Sequence, residues 1–460
     1  MEPHARSVIE HIERVLALVA PLPAASLDLE SALGSILAED LYASVSVPPF
    51  DSAAMDGYAV RLADLPPDGG QVTLHVTGDV AAGPGDTTAV EPGQAVRIMT
   101  GAPLPPGADA VIPVEHTSTG RFVAGAPREE QTVALARRPR PHVRGAGEDV
   151  RSGELLARAG SEVTAALVGA LAASGAVRVP VRRRPLVVVI STGAELVPVG
   201  EPLGPGQITD SNGPMLAAAA RAAGADVVRL GPVPDDPAAL RAALDAAARG
   251  GPGVGSGAGS RAGADLIVTA GGVSAGAADV VREVLAPPSP ATDGAGVTDV
   301  DVATVAMSPG KPQALARWHG VPWLALPGNP VGAYASFELF ARPAIGRLRG
   351  LDLAGKHHLS EIGCSASTSS TRSNTPPAVL ISAAVGWSGS PGRLLVVPVR
   401  LVPLPDGGAA HSSDASAVGV KPVGSRHSLS ALATADGLAL VPSDIEKVHA
   451  GDLVQVLMLR

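Results

Sequence analysis

Between residues 185 and 335 the chain repeats one pattern: a short apolar run rich in Val, Leu and Ile, then a loop of Gly, Pro, Ser and Asp, then a helix-compatible segment. PLVVVI (185–190), DVVRL (226–230), DLIVTA (265–270) and PWLAL (322–326) are the strand candidates, with VATVAM (302–307) as another. Asn212-Gly213-Pro214 opens a helix that stops at Gly224, and Pro237 opens one that stops at Arg249-Gly250. A further helix runs to Leu285, and another follows Pro330. Runs that are apolar throughout, rather than alternating, suit strands buried on both faces. Strands alternating with helices predict a mostly parallel, doubly wound α/β sheet covered on both sides.

The rest of the chain reads differently. Residues 7–20 predict a helix, with Ser7 and Glu10 in a capping-box pattern and Val8, Ile12, Val15 and Val19 on one face. Residues 49–142 are rich in Gly, Pro, Val and Thr and predict a small β domain. Residues 143–180 give a turn-strand-turn pattern and then a helix up to Gly175. From 350 to 460, short Val- and Leu-rich runs between turns predict a small β barrel or sandwich, with a disordered patch at 365–377. Two Gly-, Ser- and Pro-rich stretches, 250–263 and 287–296, read as flexible surface insertions in the α/β region. At 460 residues the chain is too long for one core, and about three or four domains are expected.

Composition narrows the function. The net charge is −9 and aromatics are only 2%, so a nucleic-acid binder with a basic footprint and stacking platform is excluded. The longest unbroken Lys/Arg run is Arg182–Arg184. The single cysteine, Cys364, rules out an internal disulfide and a cysteine-built metal site. The N-terminus has no signal-peptide pattern, and the longest apolar run, near 165–177, is shorter than the ~20 residues that span a bilayer. A soluble cytoplasmic protein is the expectation.

In a doubly wound sheet, ligands bind beyond the carboxyl ends of the strands. The loops there are STGAEL (191–196), GPVPDDP (231–237), GGVSAGAAD (271–279) and PGNPVG (327–332). Gly271 and Gly272 allow close backbone approach to an anion at a helix start, and Ser274 adds a hydroxyl; a tight strand–helix turn explains the same residues. Glu195, Asp236 and Asp279 are hard oxygen donors suited to Mg2+ beside a phosphate, or else helix caps, above all Asp236 before Pro237. PGNP is a stiff turn, and Lys311 in AMSPGKP is a compact cation suited to an oxyanion, or a solvated surface lysine. Upstream, PPFDSAAMDGYAV (48–60) carries Asp51 and Asp56, and RIMTGAP (97–103) carries Thr100 and Gly101.

SAAMDGYAV, RIMTGAP, GED at 147–149, STGAEL, GGVSAGAAD, PGKP and PGNPV occur in this order from residue 48 to about 335. Together they resemble the molybdopterin molybdenumtransferase family, which includes bacterial MoeA and the E domain of gephyrin. The run from Pro422 to Leu457 is a weaker match. The resemblance implies a multidomain α/β plus β protein. Its parts would be an N-terminal helix (1–22) on the α/β domain, an elongated linker domain (23–48 and 143–180) and a small inserted β domain (49–142). A molybdopterin-binding α/β domain (181–345) and a C-terminal β barrel (346–460) would follow. It implies a homodimer whose cleft brings Asp56 and Thr100 of one chain toward Glu195 and Asp279 of the other, and catalytic roles for these four residues and Lys311. The implied reaction takes molybdopterin-AMP and molybdate, with Mg2+, to molybdenum cofactor and AMP. Glu195, Asp236 and Asp279 would hold the metal. Thr192, Gly193, Gly271, Gly272, Ser274, Pro327, Gly328, Asn329 and Pro330 would line the pterin and molybdate pocket. A molybdopterin adenylyltransferase is the implied partner.

The chain departs from the family pattern at Ser308, where a lysine is common, and at Gly332, where serine is common. It also lacks the usual acidic residue near Ala277 and the aromatic near Val280. Losing two charge-assisted contacts of roughly 1.5–3 kcal/mol each would weaken molybdate binding by orders of magnitude. A weakened paralogue serving as a dimeric protein-binding scaffold is therefore the alternative. An adenylyltransferase of the same pathway accounts for the α/β domain alone.

Overall fold

The computed structural model describes residues 5–85, 88–122, 130–250, 263–273, 279–286, 296–351, 378–404, 418–425 and 427–459. Ser274, Ala277, Cys364, the patch at 365–377 and all but the ends of the two insertions lie outside the described residues. The chain forms two compact units. One comprises Met1–Ala25, Gly34–Ala38 and Val181–Arg460, the other Ser26–Leu33 and Glu39–Pro180.

The first unit contains the α/β domain. Its strands are β1 (Leu186–Thr192), β2 (Asp226–Val233), β3 (Leu266–Ala270), β4 (Val297–Thr304), β5 (Pro312–Trp318) and β6 (Val321–Leu326). The six-stranded sheet runs in the order β2-β1-β3-β6-β5-β4. β2, β1, β3 and β6 are parallel, and β5 and β4 add an antiparallel edge. Every residue of β1 and β3 is buried, as the unbroken apolar runs require. The pleat sends alternate side chains to two cores. Val187 and Val189 join Leu216, Val331 and Phe337 on one face, while Val188 and Ile190 join Leu240, Leu244 and Trp323 on the other.

The helices of this unit are α1 (Val8–Ala17), α2 (Asn212–Ala222), α3 (Pro237–Arg249), α4 (Val280–Leu285), α5 (Pro330–Ser336) and α6 (Arg342–Leu348). A π-helical turn, Phe337–Ala341, joins the last two. α3 starts at Pro237 and ends on Gly250 at φ 77°, as the Pro and Gly signals predict. α1 is shorter than expected. Ser7 caps it by accepting from the Glu10 amide, but Glu10 turns its carboxylate to Arg14 at 3.1 Å instead of closing the box. α1 packs on the α/β domain, with His11 edge-on to Phe340 at 4.6 Å.

VATVAM is not one strand. β4 stops at Thr304, and Met307–Ser308 pairs with Leu394–Leu395 in another sheet. β5 goes unrecognised in the sequence because Gln313 and Arg317 interrupt its apolar run. The C-terminal strands β7 (Ala378–Ala383), β8 (Leu394–Pro403), β9 (Val418–Pro422), β10 (Gly437–Val441) and β11 (Leu453–Met458) close on themselves. Pairing β8 to both β9 and β10 completes the ring β8-β9-β7-β11-β10, so this domain is a barrel and not a sandwich.

The second unit holds a five-stranded sheet of Ala110–Pro113, Gly57–Val60, Gln94–Ile98, Gln71–Val80 and Thr132–Ala136, in that spatial order. Segments on either side of it in sequence pair with each other: Leu41–Tyr42 with Leu155–Ala157, and Val47 with Val150. Thr164 caps the helix Ala165–Ala173, which is too short to span a membrane. Among the described residues no helix is long and apolar enough to cross a membrane.

Candidate functional site

β2 and β3 lie on opposite sides of β1, so the strand order reverses between β1 and β3. That switch point opens a crevice at the carboxyl ends of the strands. Thr192 ends β1 and Gly271 follows β3. A Cβ at Gly271, whose φ is 107°, would lie 2.3 Å from the Thr192 carbonyl oxygen. A Cβ at Gly213 would lie 2.4 Å from Asp210 Oδ2 and 2.8 Å from Ser191 Oγ. Asn212 Nδ2 donates to the Gly328 carbonyl at 2.7 Å, and the Gly271 backbone amide to the Leu326 carbonyl at 3.1 Å. At Gly271 the obstacle is backbone and φ is positive, so only glycine permits that approach; together these contacts draw the ends of β1, β3 and β6 and the start of α2 into one cradle.

Three polar atoms in this cradle, Ser191 Oγ, Thr192 Oγ1 and Asn212 Oδ1, are buried without a hydrogen-bond partner. Leaving such a group unmet costs about 1–3 kcal/mol, so three together mark a place for a polar ligand. Thr192, Gly271 and Gly328 are sequence-predicted. Ser191, Asp210 and Asn212 are not, although the Asp-Ser-Asn run before Gly213-Pro214 is a signal for them.

The carboxylates divide. Asp236 caps α3, accepting from the Ala238 and Ala239 amides at 3.4 and 3.1 Å. Its capping role is thus realised, and its neighbour Asp235 is the carboxylate turned to the β1 loop, accepting from the Ala194 amide at 3.0 Å. Glu195 is exposed and folds over Gly193, where a Cβ would lie 2.7 Å from Glu195 Oε2. Asp279 stands at the start of α4, but its side chain makes no capping bond. Among the described residues no three His, Cys, Asp or Glu side chains form a metal cluster.

β5 pairs Ala314 with Ala325 of β6 and Pro312 with Thr304 of β4, which brings Lys311 to the same edge as Gly328. Lys311 is exposed. In the PGNP loop Pro327 is buried, Asn329 caps α5 by accepting from the Gly332 amide at 3.2 Å, and Pro330 opens the helix. Gly332 has no positive φ, so the turn chemistry does not require glycine there; a Cβ would lie 3.3 Å from the Gly310 nitrogen.

In the second unit, Asp56 Oδ1 accepts from the Thr100 amide at 2.7 Å and from its hydroxyl at 2.8 Å. These bonds, the backbone one first, hold the Asp56 carboxyl below its usual range. Gly57 is obligatory, because a Cβ would lie 2.1 Å from the Ile112 carbonyl oxygen. Asp51 accepts from the Ala146 amide at 2.7 Å and so ties down the segment before GED. The Arg182–Arg184 run is answered internally, by the Leu22 carbonyl, Asp265 and Asp226 respectively.

Residues 6–175 match the family model of the MoeA N-terminal region (domain I and II). Residues 188–347 match that of a probable molybdopterin binding domain, and 381–459 that of the MoeA C-terminal region (domain IV). The chain is 38% identical over 455 residues to molybdopterin molybdenumtransferase 2 of Mycobacterium tuberculosis (strain CDC 1551 / Oshkosh), covering 98% of this chain and 99% of the relative. It is 35% identical over 478 residues to molybdopterin molybdenumtransferase 1 of the same organism, covering 99% of each chain. The solved structure of the molybdopterin biosynthesis MoeA protein from Pyrococcus horikosii superposes with a TM-score of 0.72 at 27% identity, covering 99% of both chains. By matches that run through the N-terminal region, the α/β domain and the C-terminal barrel alike, the chain belongs to the molybdopterin molybdenumtransferase (MoeA) family, transferases of molybdenum cofactor biosynthesis.

Proposed function

We propose that the chain inserts molybdate into adenylylated molybdopterin with Mg2+-dependent release of AMP, and that it acts as a homodimer. The observation that carries this reading is the glycine cradle with its three unpartnered buried atoms. The Ser191 and Thr192 hydroxyls can donate to phosphate or pterin acceptors, and Asn212 Oδ1 can accept a pterin N–H. Pro327 to Pro330 form a stiff wall beside them. Lys311 supplies positive charge for the molybdate oxyanion.

Glu195, Asp235 and Asp279 follow β1, β2 and β3 and are the residues that would hold Mg2+. Mg2+ takes one or two carboxylates plus substrate phosphates rather than a full protein cage, and that donor set is what these loops offer. When bound, the metal would neutralise phosphate charge and polarise the bond to the leaving AMP. Asp56 and Thr100 would come from the other chain, with the carboxylate kept ionised by its two hydrogen bonds.

The test follows AMP release and cofactor formation from molybdopterin-AMP, with and without molybdate and with Mg2+ or EDTA. Cofactor should form only with both ions. Glu195→Ala should lower the rate at least about tenfold, as expected for a carboxylate at a reacting phosphate. Asp236→Ala, which removes a helix cap, should leave the rate unchanged at about 1 kcal/mol lower stability. A flat response to molybdate up to the millimolar range would overturn the enzyme reading in favour of the dimeric scaffold.

A further inference from the structure

Residues 305–311 form a closed loop that ends on Lys311. The Val305 amide donates to the Lys311 carbonyl at 2.8 Å. Two outside elements hold its first half. Arg6 straps across it, donating to the Thr304 carbonyl at 2.8 Å and accepting from the Ala306 amide at 2.7 Å. From the barrel, the Leu394 amide donates to the Ala306 carbonyl at 2.8 Å, and Met307–Ser308 pairs with β8.

The second half, Pro309 and Gly310, is held differently. Gln313 is 1% exposed, and its Nε2 donates to the Gly310 carbonyl at 2.8 Å and to Ser336 Oγ at 2.6 Å. Ser336 is fully buried at the end of α5, the helix that the PGNP loop begins. Gly310 sits at φ 112°, where a Cβ would lie 2.7 Å from Met307 Cε and 3.0 Å from Ser336 Oγ. One buried amide thus ties the peptide just before Lys311 to the helix behind the PGNP wall. In a tightly packed core, a buried polar group with both partners in place specifies one arrangement where an apolar side chain would permit several.

We propose that Gln313 is a positioning residue. Without touching molybdate, it fixes the Gly310–Lys311 peptide and so sets the direction in which Lys311 is presented to the oxyanion. The proposal rests on the reading that Lys311 meets molybdate.

The experiment measures half-saturating molybdate, half-saturating molybdopterin-AMP and the saturating rate for the unaltered chain and its variants. Gln313→Leu removes both donors at similar volume. It should raise half-saturating molybdate about tenfold, the equivalent of one or two lost hydrogen bonds, and leave the other two quantities within about twofold. Ser336→Ala keeps the Gly310 bond and should raise it about threefold, which keeps the question answerable if Gln313→Leu folds poorly. Adding Gln313→Leu to Lys311→Ala should cause no further rise, because the two changes act through one group. A fall in thermal stability or saturating rate with unchanged half-saturating molybdate in both variants would mean a packing role and overturn the proposal. If Lys311→Ala raises the molybdate requirement but neither Gln313→Leu nor Ser336→Ala does, the positioning proposal alone falls. An unchanged requirement in Lys311→Ala overturns the reading of Lys311 and the proposal with it.

Discussion

Gly271 and Gly332 both follow strands at the same edge of the α/β sheet, yet only Gly271 is required to be glycine by its backbone conformation. Gly271 has a left-handed φ and backbone within 2.3 Å of any added Cβ, whereas Gly332 lies in the first turn of α5 with its nearest contact at 3.3 Å. Gly271→Ala should therefore cost about 1–3 kcal/mol of stability and weaken molybdopterin-AMP binding, since strain and a displaced Thr192 both act on the cradle. Gly332→Ser, buried and 3.3 Å from the Gly310 nitrogen but free of φ strain, should cost less, about 1 kcal/mol. Thermal unfolding with substrate titration distinguishes the two. Equal tolerance at both positions would mean that the cradle is looser than its geometry implies.

α1 joins the fold through a buried titratable group. Burial, and then the Arg6 guanidinium, hold the His11 pKa down at about 3; Asp301 opposes this and Arg14 adds to it. The folded pKa lies below the ordinary value of 6.5, so His11 contributes stability above pH 6.5. As pH falls from 6.5 toward 3 the unfolded chain takes up the proton first, and that stability is lost. Urea midpoints of the natural protein should fall over this window more steeply than those of His11→Leu. Parallel curves would assign the acid sensitivity to another group. The element matters to the site because the strand-like contact of Arg6 with Thr304 and Ala306 precedes the Lys311 loop.

The residues proposed for the site fall in both of the molecule's units. The Asp56–Thr100 pair belongs to one, and the cradle, Glu195 and Lys311 belong to the other. If two chains share each site, sedimentation should show a dimer at micromolar concentration. Mixing inactive Asp56→Ala and Glu195→Ala chains should then restore about a quarter of the activity, because random exchange makes half the dimers mixed, each with one intact site. A monomer, or mixtures that stay inactive despite exchange, would place both residues' action within a single chain.

What the sequence determines by itself is what local chemistry dictates. Apolar β-branched runs identify β1 and β3, Pro237 and Gly250 bound α3, and the ordered motifs from Asp56 to Asn329 are sufficient to recognise the family. These signals need only near neighbours in the chain. Tertiary structure decides the rest. Pro237 marks Asp236 as the cap of α3, but only the tertiary structure turns the adjacent Asp235 to the β1 loop. β5 is a strand because β4 and β6 pair with it across an otherwise interrupted sequence, and Met307 leaves the α/β sheet because the barrel offers it a partner. Ser191 and Asn212 become unpartnered, and Gln313 becomes a tie between loop and helix, only when segments far apart in sequence exclude water from around them, an outcome of packing that no local pattern encodes.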